Sequence, residues 1–440
     1  MHDICIIGAG WAGFSAAIKA KQLGLSVCLV EQKKIGGTCL NQGCIPTKVL
    51  VQSSRIFSHI KDNSVFGVEV KGAEVNFDKI QQRKSAIVDK MAKGMEFQLS
   101  TKGVELIKGE AKFVNADEIL VDSRSIKAKN VIIAIGSRPI ELPFLKFNQK
   151  NIISSDDILD LKFIPESLLI VGGGVIGCEF ANIFASLSAK VTIVEILEHI
   201  LPNEDKDIAK KLEVALKRKS VKILTKTDVK TVALDKFEKV LVCVGRVANK
   251  EIEGLEKIGV KTDKKGILVN EFMQTNIDNL YAVGDCIGGH QLAHVAAYEG
   301  ELAVENISGK KIPVDYSAVP NCIFTDPEIS SVGLTEEAAG AKGIQYQIGK
   351  FDFLASGMAH ILDETDGFIK VLFDGNSKEI LGAAIVGPKA TELIAVFSLA
   401  IKSKLKISQI NDTIFAHPTL SEAIREATKS IYSTSHKEYE

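Results

Sequence analysis

Two stretches of the chain share one pattern, and that pattern decides the fold. Residues 4–31 read ICIIGAGWAGFSAAIKAKQLGLSVCLVE, and residues 168–195 read LLIVGGGVIGCEFANIFASLSAKVTIVE. The two align without a gap, and each has an apolar strand, a GxGxxG turn, an amphipathic helix, a second strand and a final glutamate. A glycine turn between a strand and a helix, followed at this distance by an acid, is typical of dinucleotide binding. The chain is therefore predicted to contain two Rossmann-type βαβ units.

The residues of each unit have separate tasks. The first glycine allows a tight turn, the second lets a pyrophosphate approach the backbone, and the third lets the helix pack on the strand. The glutamate accepts hydrogen bonds from ribose hydroxyls and repels a ribose that carries an extra phosphate, so Glu195 favours NAD over NADP. The predicted binding residues are Gly8, Gly10, Gly13 and Glu31 in the first unit, and Gly172, Gly174, Gly177 and Glu195 in the second.

Composition excludes several classes of protein. The 440 residues include 54 Lys and Arg against 55 Asp and Glu, a net charge of -1. This balance provides no basic surface for nucleic acid or for an anionic membrane. No apolar run is long enough to span a bilayer, and the amino terminus lacks the pattern of a signal peptide. We therefore expect neither a nucleic-acid nor a membrane partner. The eight cysteines are too few and too scattered for a secreted disulfide framework, which favours a reducing, cytoplasmic compartment.

The only close cysteine pair lies in residues 36–48, which read GGTCLNQGCIPTK. In a regular helix, Cα atoms five residues apart are about 8.7 Å apart, whereas a disulfide needs roughly 4.4 to 6.8 Å. Pairing Cys39 with Cys44 therefore requires an irregular helix start, which the glycines and Pro46 permit. A helix amino terminus and Lys48 should stabilise the thiolates. A redox role is favoured over a metal site, because no second cysteine pair or histidine cluster has ligand spacing.

A thiol reaction needs a base, and residues 415–422 (FAHPTLSE) contain one. Pro418 restricts the backbone next to His417, and Glu422 could orient the imidazole and raise its basicity. The sequence alone leaves a structural role for His417 equally open, because a base must lie within hydrogen-bond reach of its substrate.

Motifs along nearly the whole chain resemble one family. In order they are GAGWAG, GGTCLNQGCIPTK, AIGS, GGGVIGCE, VGR, YAVGDC, LAHVAAYEG, FTDPEISSVG and AHPTLSE. They resemble the flavoprotein pyridine nucleotide-disulfide oxidoreductases, and within that family the dihydrolipoamide dehydrogenases. The resemblance implies an α/β fold with two Rossmann-like domains, for FAD and NAD, and an α+β dimerisation domain that forms a homodimer. The expected boundaries are 1–147 and 249–315 for the two parts of the FAD domain, 148–248 for the NAD domain and 316–440 for the dimerisation domain.

The resemblance also assigns roles to single residues. Cys39 matches the thiol that meets lipoamide, and Cys44 matches the charge-transfer thiol against the flavin. His417 and Glu422 match the base and its orienter, which in this family act on the partner subunit. The remaining matches are the Lys48 and Glu179 ion pair beside the flavin, Gly109, Gly136, Ser137 and Asp285 around FAD, and Gly245 at the NAD site. Asp285 could equally be a turn aspartate.

The function implied is oxidation of dihydrolipoamide to lipoamide with reduction of NAD, through a Cys39–Cys44 disulfide and FAD. The substrate would be small-molecule lipoamide or lipoamide bound to a 2-oxo acid dehydrogenase or glycine cleavage complex. One alternative is an NADH-dependent reductase of another small disulfide. A diaphorase or transhydrogenase, or a non-enzymatic flavoprotein scaffold or NADH sensor, is disfavoured because the cysteine pair and His417 are intact.

Some positions differ from the family's usual residues. Trp11 replaces a small residue or proline in the first glycine turn, so its indole must point away from a pyrophosphate. Phe415, Met358 and Val247 replace a usual His, Arg and Arg, which bears on the substrate more than on the fold. Residues 225–239 are shorter than the expected β-meander, so the NAD domain should be trimmed and its cofactor affinity reduced.

Overall fold

The computed structural model describes residues 1–61 and 63–432. Its helices are α1 (Trp11–Gln22), α2 (Gly37–Gln42), α3 (Cys44–Lys61), α4 (Phe77–Thr101), α5 (Val175–Ser186), α6 (Lys206–Arg218), α7 (Ala293–Ile307), α8 (Glu336–Ala341), α9 (Gly357–Ile361), α10 (Ala390–Lys402), α11 (Ile407–Asn411) and α12 (Glu422–Lys429).

The strands are β1 (His2–Ile7), β2 (Val27–Glu31), β3 (Glu105–Lys108), β4 (Ala111–Phe113), β5 (Glu118–Val121), β6 (Arg124–Ile133), β7 (Ser137–Pro139), β8 (Ile152–Ile153), β9 (Ser167–Val171), β10 (Lys190–Val194), β11 (Lys222–Leu224), β12 (Lys239–Val242), β13 (Arg246–Ala248), β14 (Leu280–Ala282), β15 (Pro320–Ile323), β16 (Glu328–Gly333), β17 (Tyr346–Asp352), β18 (Phe368–Asp374), β19 (Ile380–Gly387) and β20 (Ile431–Tyr432).

These elements form two compact units. The first unit comprises Met1–Leu50, Asn76–Phe163 and Val242–Val314, and the second comprises Val51–Val75, Ile164–Leu241 and Asp315–Glu440, of which the last described residue is Tyr432.

The first unit is built on a sheet in the order β3-β2-β1-β6-β5-β4, with β14 paired to β6. Strands β1, β2, β3, β6 and β14 run parallel to one another, whereas β5 pairs antiparallel with β6 and β4 pairs antiparallel with β5. The apolar runs of β1 and β2 are buried on both faces, as expected for parallel strands covered by helices. Helix α1 packs on them through the small residues Ala16, Ala17 and Ala20.

The second unit contains two sheets. Strands in the order β11-β10-β9-β12 belong to the first of these, and β10 pairs in parallel with both β9 and β11. Residues 225–238 contribute two short 3₁₀ turns, Val229–Thr231 and Leu234–Lys236, where the family's meander was expected. This agrees with the predicted trimming of the unit.

The second sheet has the order β15-β16-β19-β18-β17-β20 and its neighbouring strands are antiparallel. Helices α10, α11 and α12 cover it around a core that includes Phe353, Phe373 and Phe397. Two Rossmann-type units and this α+β region confirm the predicted fold class. Within residues 1–61 and 63–432, helices fall short of the length and apolar character that crossing a membrane would require.

Candidate active site

The first glycine turn joins β1 to α1 and has the tight geometry predicted from its spacing. Gly8 has a φ of 104°, and a Cβ there would lie 2.3 Å from the carbonyl oxygen of Ala134. A Cβ on Gly13 would lie 1.9 Å from the carbonyl oxygen of Gly8, so helix and strand meet more closely than any side chain permits. Gly10 caps α1 without a side-chain hydrogen bond. The helix terminus is therefore suited to a pyrophosphate, which its backbone N–H groups can bind.

The second glycine turn, between β9 and α5, repeats this geometry. Gly172 has a φ of 109°, and Gly174 caps α5 with no side-chain hydrogen bond. A Cβ on Gly174 would meet no atom within 4 Å, so there is space above the helix terminus for a pyrophosphate. Gly177 is buried in the first turn of α5. The turn and its donors fit a second dinucleotide.

Glu31 and Glu195 hold these turns in the same way. One Glu31 carboxylate oxygen accepts the N–H of Ala9 at 2.7 Å, and the other accepts the N–H of Lys33 at 2.7 Å. Glu195 accepts the N–H of Gly173 at 2.7 Å and that of Leu197 at 2.8 Å. Each acid therefore sits beside its turn, at the end of the second strand, where a ribose hydroxyl can reach the remaining lone pairs.

The predicted FAD residues Ser137 and Asp285 meet in the first unit, although 148 residues separate them. The Ser137 hydroxyl donates to Asp285 at 2.5 Å and accepts from Nε of Arg246 at 2.8 Å. Arg246 also donates to the Ser137 carbonyl at 2.9 Å and lies 3.5 Å from Asp156. Asp285 is therefore hydrogen-bonded within a network of four side chains, and its contact with FAD stays a prediction.

Two members of this site were missed by the sequence reasoning. They are Arg246, the last residue of the VGR motif, and Glu299, within LAHVAAYEG. Glu299 is 3% exposed and accepts the N–H of Gly284 at 2.7 Å, next to Asp285. A glutamate inside an apolar helix is a usable signal, because buried charges are rare unless they are paired.

The other predicted glycines occupy conformations that favour glycine. Gly109, after β3, has a φ of 146°, and Gly136, after β6, has a φ of 67°. Gly245 has a φ of 116° and accepts the N–H of Ile140 at 3.0 Å within the first unit. A Cβ on Gly136 would meet no atom within 4 Å, which leaves open space at the end of β6.

The cysteine pair lies where α2 gives way to α3. Gly43 separates the two helices with a φ of -148° and a ψ of -115°, which is the predicted irregularity. The side chains of Cys39 and Cys44 contact each other. This contact and then burial raise the pKa of Cys39 well above its ordinary value, against the opposing effects of Trp11 and Lys48. Lys48 therefore acts in the predicted direction, but in the dithiol the contact with Cys44 outweighs it.

His417 and Glu422 are brought together as predicted. Nδ1 of His417 lies 2.9 Å from one Glu422 oxygen, and the second oxygen accepts the N–H of Thr419 at 2.9 Å. The Thr419 N–H and then His417 lower the pKa of Glu422. The carboxylate therefore stays charged and fixes the ring. The His417 side chain is 81% exposed, so Nε2 faces outward.

Glu179 lies in α5, is 4% exposed, and accepts the N–H of Phe324 at 2.9 Å. Lys48 lies in α3 in the first unit, close enough to Cys39 for its charge to lower the pKa of that thiol. The ion pair expected between Lys48 and Glu179 joins the two units and stays a prediction.

Three residues that differ from the family's usual ones, Met358, Phe415 and Val247, lie in helices, strands or the core that they pack against. Met358 and Phe415 are partly buried and pack against the core of the antiparallel sheet. Val247 lies in β13 opposite Arg138 of β7.

A cluster of three acids in the second unit has the separations of a cation site, but a lysine fills it. Nζ of Lys370 lies 2.8 Å from Asp205, 2.7 Å from Asp207 and 2.7 Å from Glu336. Burial opposes the charge of Lys370, but the three carboxylates outweigh it and raise the pKa of the ammonium group. The cluster is an ion-pair network.

Known proteins resemble this chain over nearly its whole length. Residues 2–300 match the pyridine nucleotide-disulphide oxidoreductase family, and residues 319–428 match its dimerisation domain. A dihydrolipoyl dehydrogenase of Bacillus subtilis is 40% identical, covering 97% of both chains. The dihydrolipoyl dehydrogenase of Chlamydia pneumoniae is 38% identical over 99% of this chain and 97% of its own. The solved structure of LpdA from Mycobacterium tuberculosis superimposes with a TM-score of 0.90 at 26% identity, covering 97% of this chain and 98% of that one.

Proposed function

The chain belongs to the pyridine nucleotide-disulphide oxidoreductase family, and from this premise we propose that Cys39, Cys44 and His417 carry the oxidation of dihydrolipoamide by NAD. The predicted family, the NAD-dependent disulfide oxidoreductase activity and the use of FAD and NAD are confirmed. Near full-length similarity to dihydrolipoyl dehydrogenases supports dihydrolipoamide as the substrate and disfavours the alternative disulfide reductase and the diaphorase.

The observation that carries the proposed roles is the contact between Cys39 and Cys44 at the break between α2 and α3. Thiol exchange through an internal disulfide requires two cysteines that can form the disulfide with little movement of the backbone. Because the two thiols contact each other, they would lose their protons as a coupled pair rather than independently. The resemblance assigns Cys44 as the thiolate against the flavin and Cys39 as the exchange thiol.

His417 would act as the base. Glu422 fixes Nδ1, so the neutral ring carries its proton there and presents an unprotonated Nε2. Nε2 takes the proton from one thiol of dihydrolipoamide, whose sulfur attacks Cys39 and expels Cys44 as a thiolate. The second substrate thiol then attacks the substrate sulfur of the mixed disulfide, which forms lipoamide and releases Cys39.

The remaining site residues would hold the cofactors. Bound FAD and NAD supply the two-electron hydride chemistry that reoxidises the dithiol. The FAD pyrophosphate and ribose would be bound by Gly8, Gly10, Gly13 and Glu31. The chain between the pyrophosphate and the flavin ring would be held by Ser137 and Asp285, to which Arg246 is hydrogen-bonded through Ser137. Gly172, Gly174, Gly177 and Glu195 would bind NAD in the same manner, and the buried Glu195 disfavours NADP.

A homodimer fits the exposure of the base. The match to the dimerisation domain supports a dimer, and the 81% exposed His417 lies within that match. We propose that His417 of each protomer serves the dithiol of its partner. The proposed setting is cytoplasmic, with lipoamide either free or on a 2-oxo acid dehydrogenase or glycine cleavage complex. The four-part domain division given above stays a prediction.

The test is an anaerobic titration of the FAD-loaded protein, first with NADH and then with dihydrolipoamide. We expect a long-wavelength band from a thiolate beside the flavin with either reductant, and we expect Cys44→Ser to lose the band while keeping FAD. Full turnover of dihydrolipoamide by Cys44→Ser would refute the mechanism. Reduction by NADH with no response to dihydrolipoamide would refute the substrate.

A further inference from the structure

One buried polar group beside the dithiol lacks a hydrogen bond of regular geometry within residues 1–61 and 63–432. It is the indole N–H of Trp11, whose nitrogen is shielded from solvent. Trp11 is the first residue of α1, directly after Gly10, and its ring packs edge-on against Phe14 at 6.2 Å. A buried donor is costly to leave unsatisfied, so a strong acceptor that forms beside this N–H would be stabilised by it.

The sulfur of Cys39 lies within range of the Trp11 side chain, which lowers the pKa of that thiol. The starts of α1 and α2 are in direct contact, because a Cβ on Gly37 would lie 2.7 Å from Cα of Gly10. The N–H of Gly36 donates to the carbonyl of Ala9 at 2.7 Å and fixes this approach. Contact with Cys44 and burial raise the pKa of the Cys39 thiol, while the Trp11 N–H and the charge of Lys48 lower it.

We propose that the indole N–H of Trp11 is a preorganised hydrogen-bond donor for the Cys39 thiolate. The inference rests on the proposed function, in which the Cys39 sulfur leaves a mixed disulfide. When the second substrate sulfur attacks, the bond between Cys39 and the substrate breaks, and its electron pair stays on Cys39. A neutral thiol is a poor acceptor, whereas the thiolate is a strong one, so the bond to Trp11 strengthens as charge develops.

Burial makes this donor effective. The indole nitrogen is shielded from solvent, so no water competes for the N–H when the thiolate forms. The proposal gives a chemical role to Trp11, which stands in a position where the resemblance leads one to expect proline or a small residue. Its predicted direction, away from a pyrophosphate, is consistent with an indole that faces the dithiol.

The first test uses the fact that the chain has a single tryptophan. In FAD-loaded protein with ¹⁵N-labelled tryptophan, the indole gives one N–H resonance. We expect it to shift downfield when NADH reduces the disulfide, and to titrate with the midpoint at which Cys39 ionises. In Cys39→Ser the titration should vanish. A resonance that keeps the same titration in Cys39→Ser, or that responds only to FAD binding, would overturn the proposal.

The second test removes the donor while keeping the ring. Trp11→Phe, or replacement of Trp11 by benzothienylalanine, lacks the N–H, whereas the control Phe14→Leu keeps it. In reduced, FAD-loaded protein, the pKa of Cys39 from pH-dependent alkylation should rise by about one unit without the donor, slowing alkylation at neutral pH about tenfold. Phe14→Leu should match the parent. Equal pKa values in all four proteins would refute the hydrogen bond.

These tests do not depend on lipoamide turnover, so the two proposals can fail separately. If the indole resonance did not titrate with Cys39, the proposed role of Trp11 would be refuted and the proposed activity would still stand. A normal titration in a protein that dihydrolipoamide cannot reduce would retain the hydrogen bond and remove the proposed substrate.

Discussion

The two βαβ units have the same glycine turn but continue differently after the acid. Gly10 caps α1 with φ and ψ of -70° and -175°, and Gly174 caps α5 with -74° and -172°. Glu31 and Glu195 each accept two backbone N–H groups, at 2.7 to 2.8 Å. After Glu31 the chain forms α2, α3 and α4 before the next strand of the sheet, whereas only α6 follows Glu195.

This difference separates binding from chemistry. The turn and its acid suit the pyrophosphate and unphosphorylated ribose that FAD and NAD share, and both copies retain them. The dithiol lies only in the segment that extends the first copy, beside the turn that would hold the cofactor. The second copy has no such insertion, and the segment after its acid leads instead to a buried carboxylate, Glu204. Under the proposed function, one turn geometry would therefore serve NAD binding in the second copy and FAD binding beside a reactive dithiol in the first.

The largest effect should come from the third glycine of the first copy. We expect Gly13→Ala to destabilise the first unit by about 3 to 5 kcal/mol and to abolish FAD retention, because the new methyl group would lie 1.9 Å from the Gly8 carbonyl oxygen. Urea denaturation and flavin content after gel filtration measure this.

A substitution at the second glycine of the second copy separates packing from binding. In Gly174→Ala the methyl group meets nothing within 4 Å, so stability should be unchanged while NADH affinity falls. A stable, flavin-loaded Gly13→Ala protein would contradict the packing argument. An unfolded Gly174→Ala protein would contradict the open space above the start of α5.

The next effect concerns the acids. We expect Glu195→Gln to weaken NADH binding about five- to tenfold, because an amide is a weaker acceptor than a carboxylate for ribose and backbone donors. Glu31→Gln should weaken FAD retention by a similar factor. Fluorescence titration of NADH and the rate of FAD loss report the two results.

An exposed glutamate close to Glu195 provides the control. Glu198 is 62% exposed and pairs with Lys226 at 2.8 Å, so Glu198→Gln should leave both cofactors unaffected. If Glu198→Gln weakened NADH binding as much as Glu195→Gln, the loss would reflect general charge rather than the acid of the βαβ unit.

The sequence predicts the local parts of the site well. The glycine turns, the acids and the break between Cys39 and Cys44 depend on neighbouring residues, so spacing and residue type are enough. The pairing of His417 with Glu422 likewise spans five positions. Such features need no knowledge of the tertiary structure.

The distant parts could not be predicted from spacing. Arg246 reaches Ser137 across 109 positions, and only the strand order brings them together. The high pKa of Cys39 was also missed, because it depends on the contact with Cys44 and on burial, which the tertiary structure determines. The usefulness of Trp11 depends in the same way on the approach of α2 to α1.

The smallest effect concerns Glu204, the buried carboxylate that follows the second copy's acid. Burial raises the pKa of Glu204, although Asn321 and Ser331 donate to one of its oxygens at 2.6 and 3.1 Å. The folded protein holds the proton of Glu204 more tightly than the unfolded chain does. The contribution of this group to the free energy of unfolding is therefore fully present below the ordinary carboxyl pKa. That contribution is lost as the pH rises through the raised pKa.

Glu204→Gln tests this directly. The amide oxygen can keep both hydrogen bonds without a charge to bury, so we expect the variant to gain about 1 kcal/mol over the parent at pH 8 and little at pH 4. Urea midpoints at the two pH values measure the difference. Glu204→Ala should lose stability at both, because Asn321 loses its acceptor. If the stability gain of Glu204→Gln over the parent were no larger at pH 8 than at pH 4, ionisation of the buried carboxylate would not destabilise the folded protein. The second copy would then tolerate a buried charge at the place where the first copy turns into its dithiol segment.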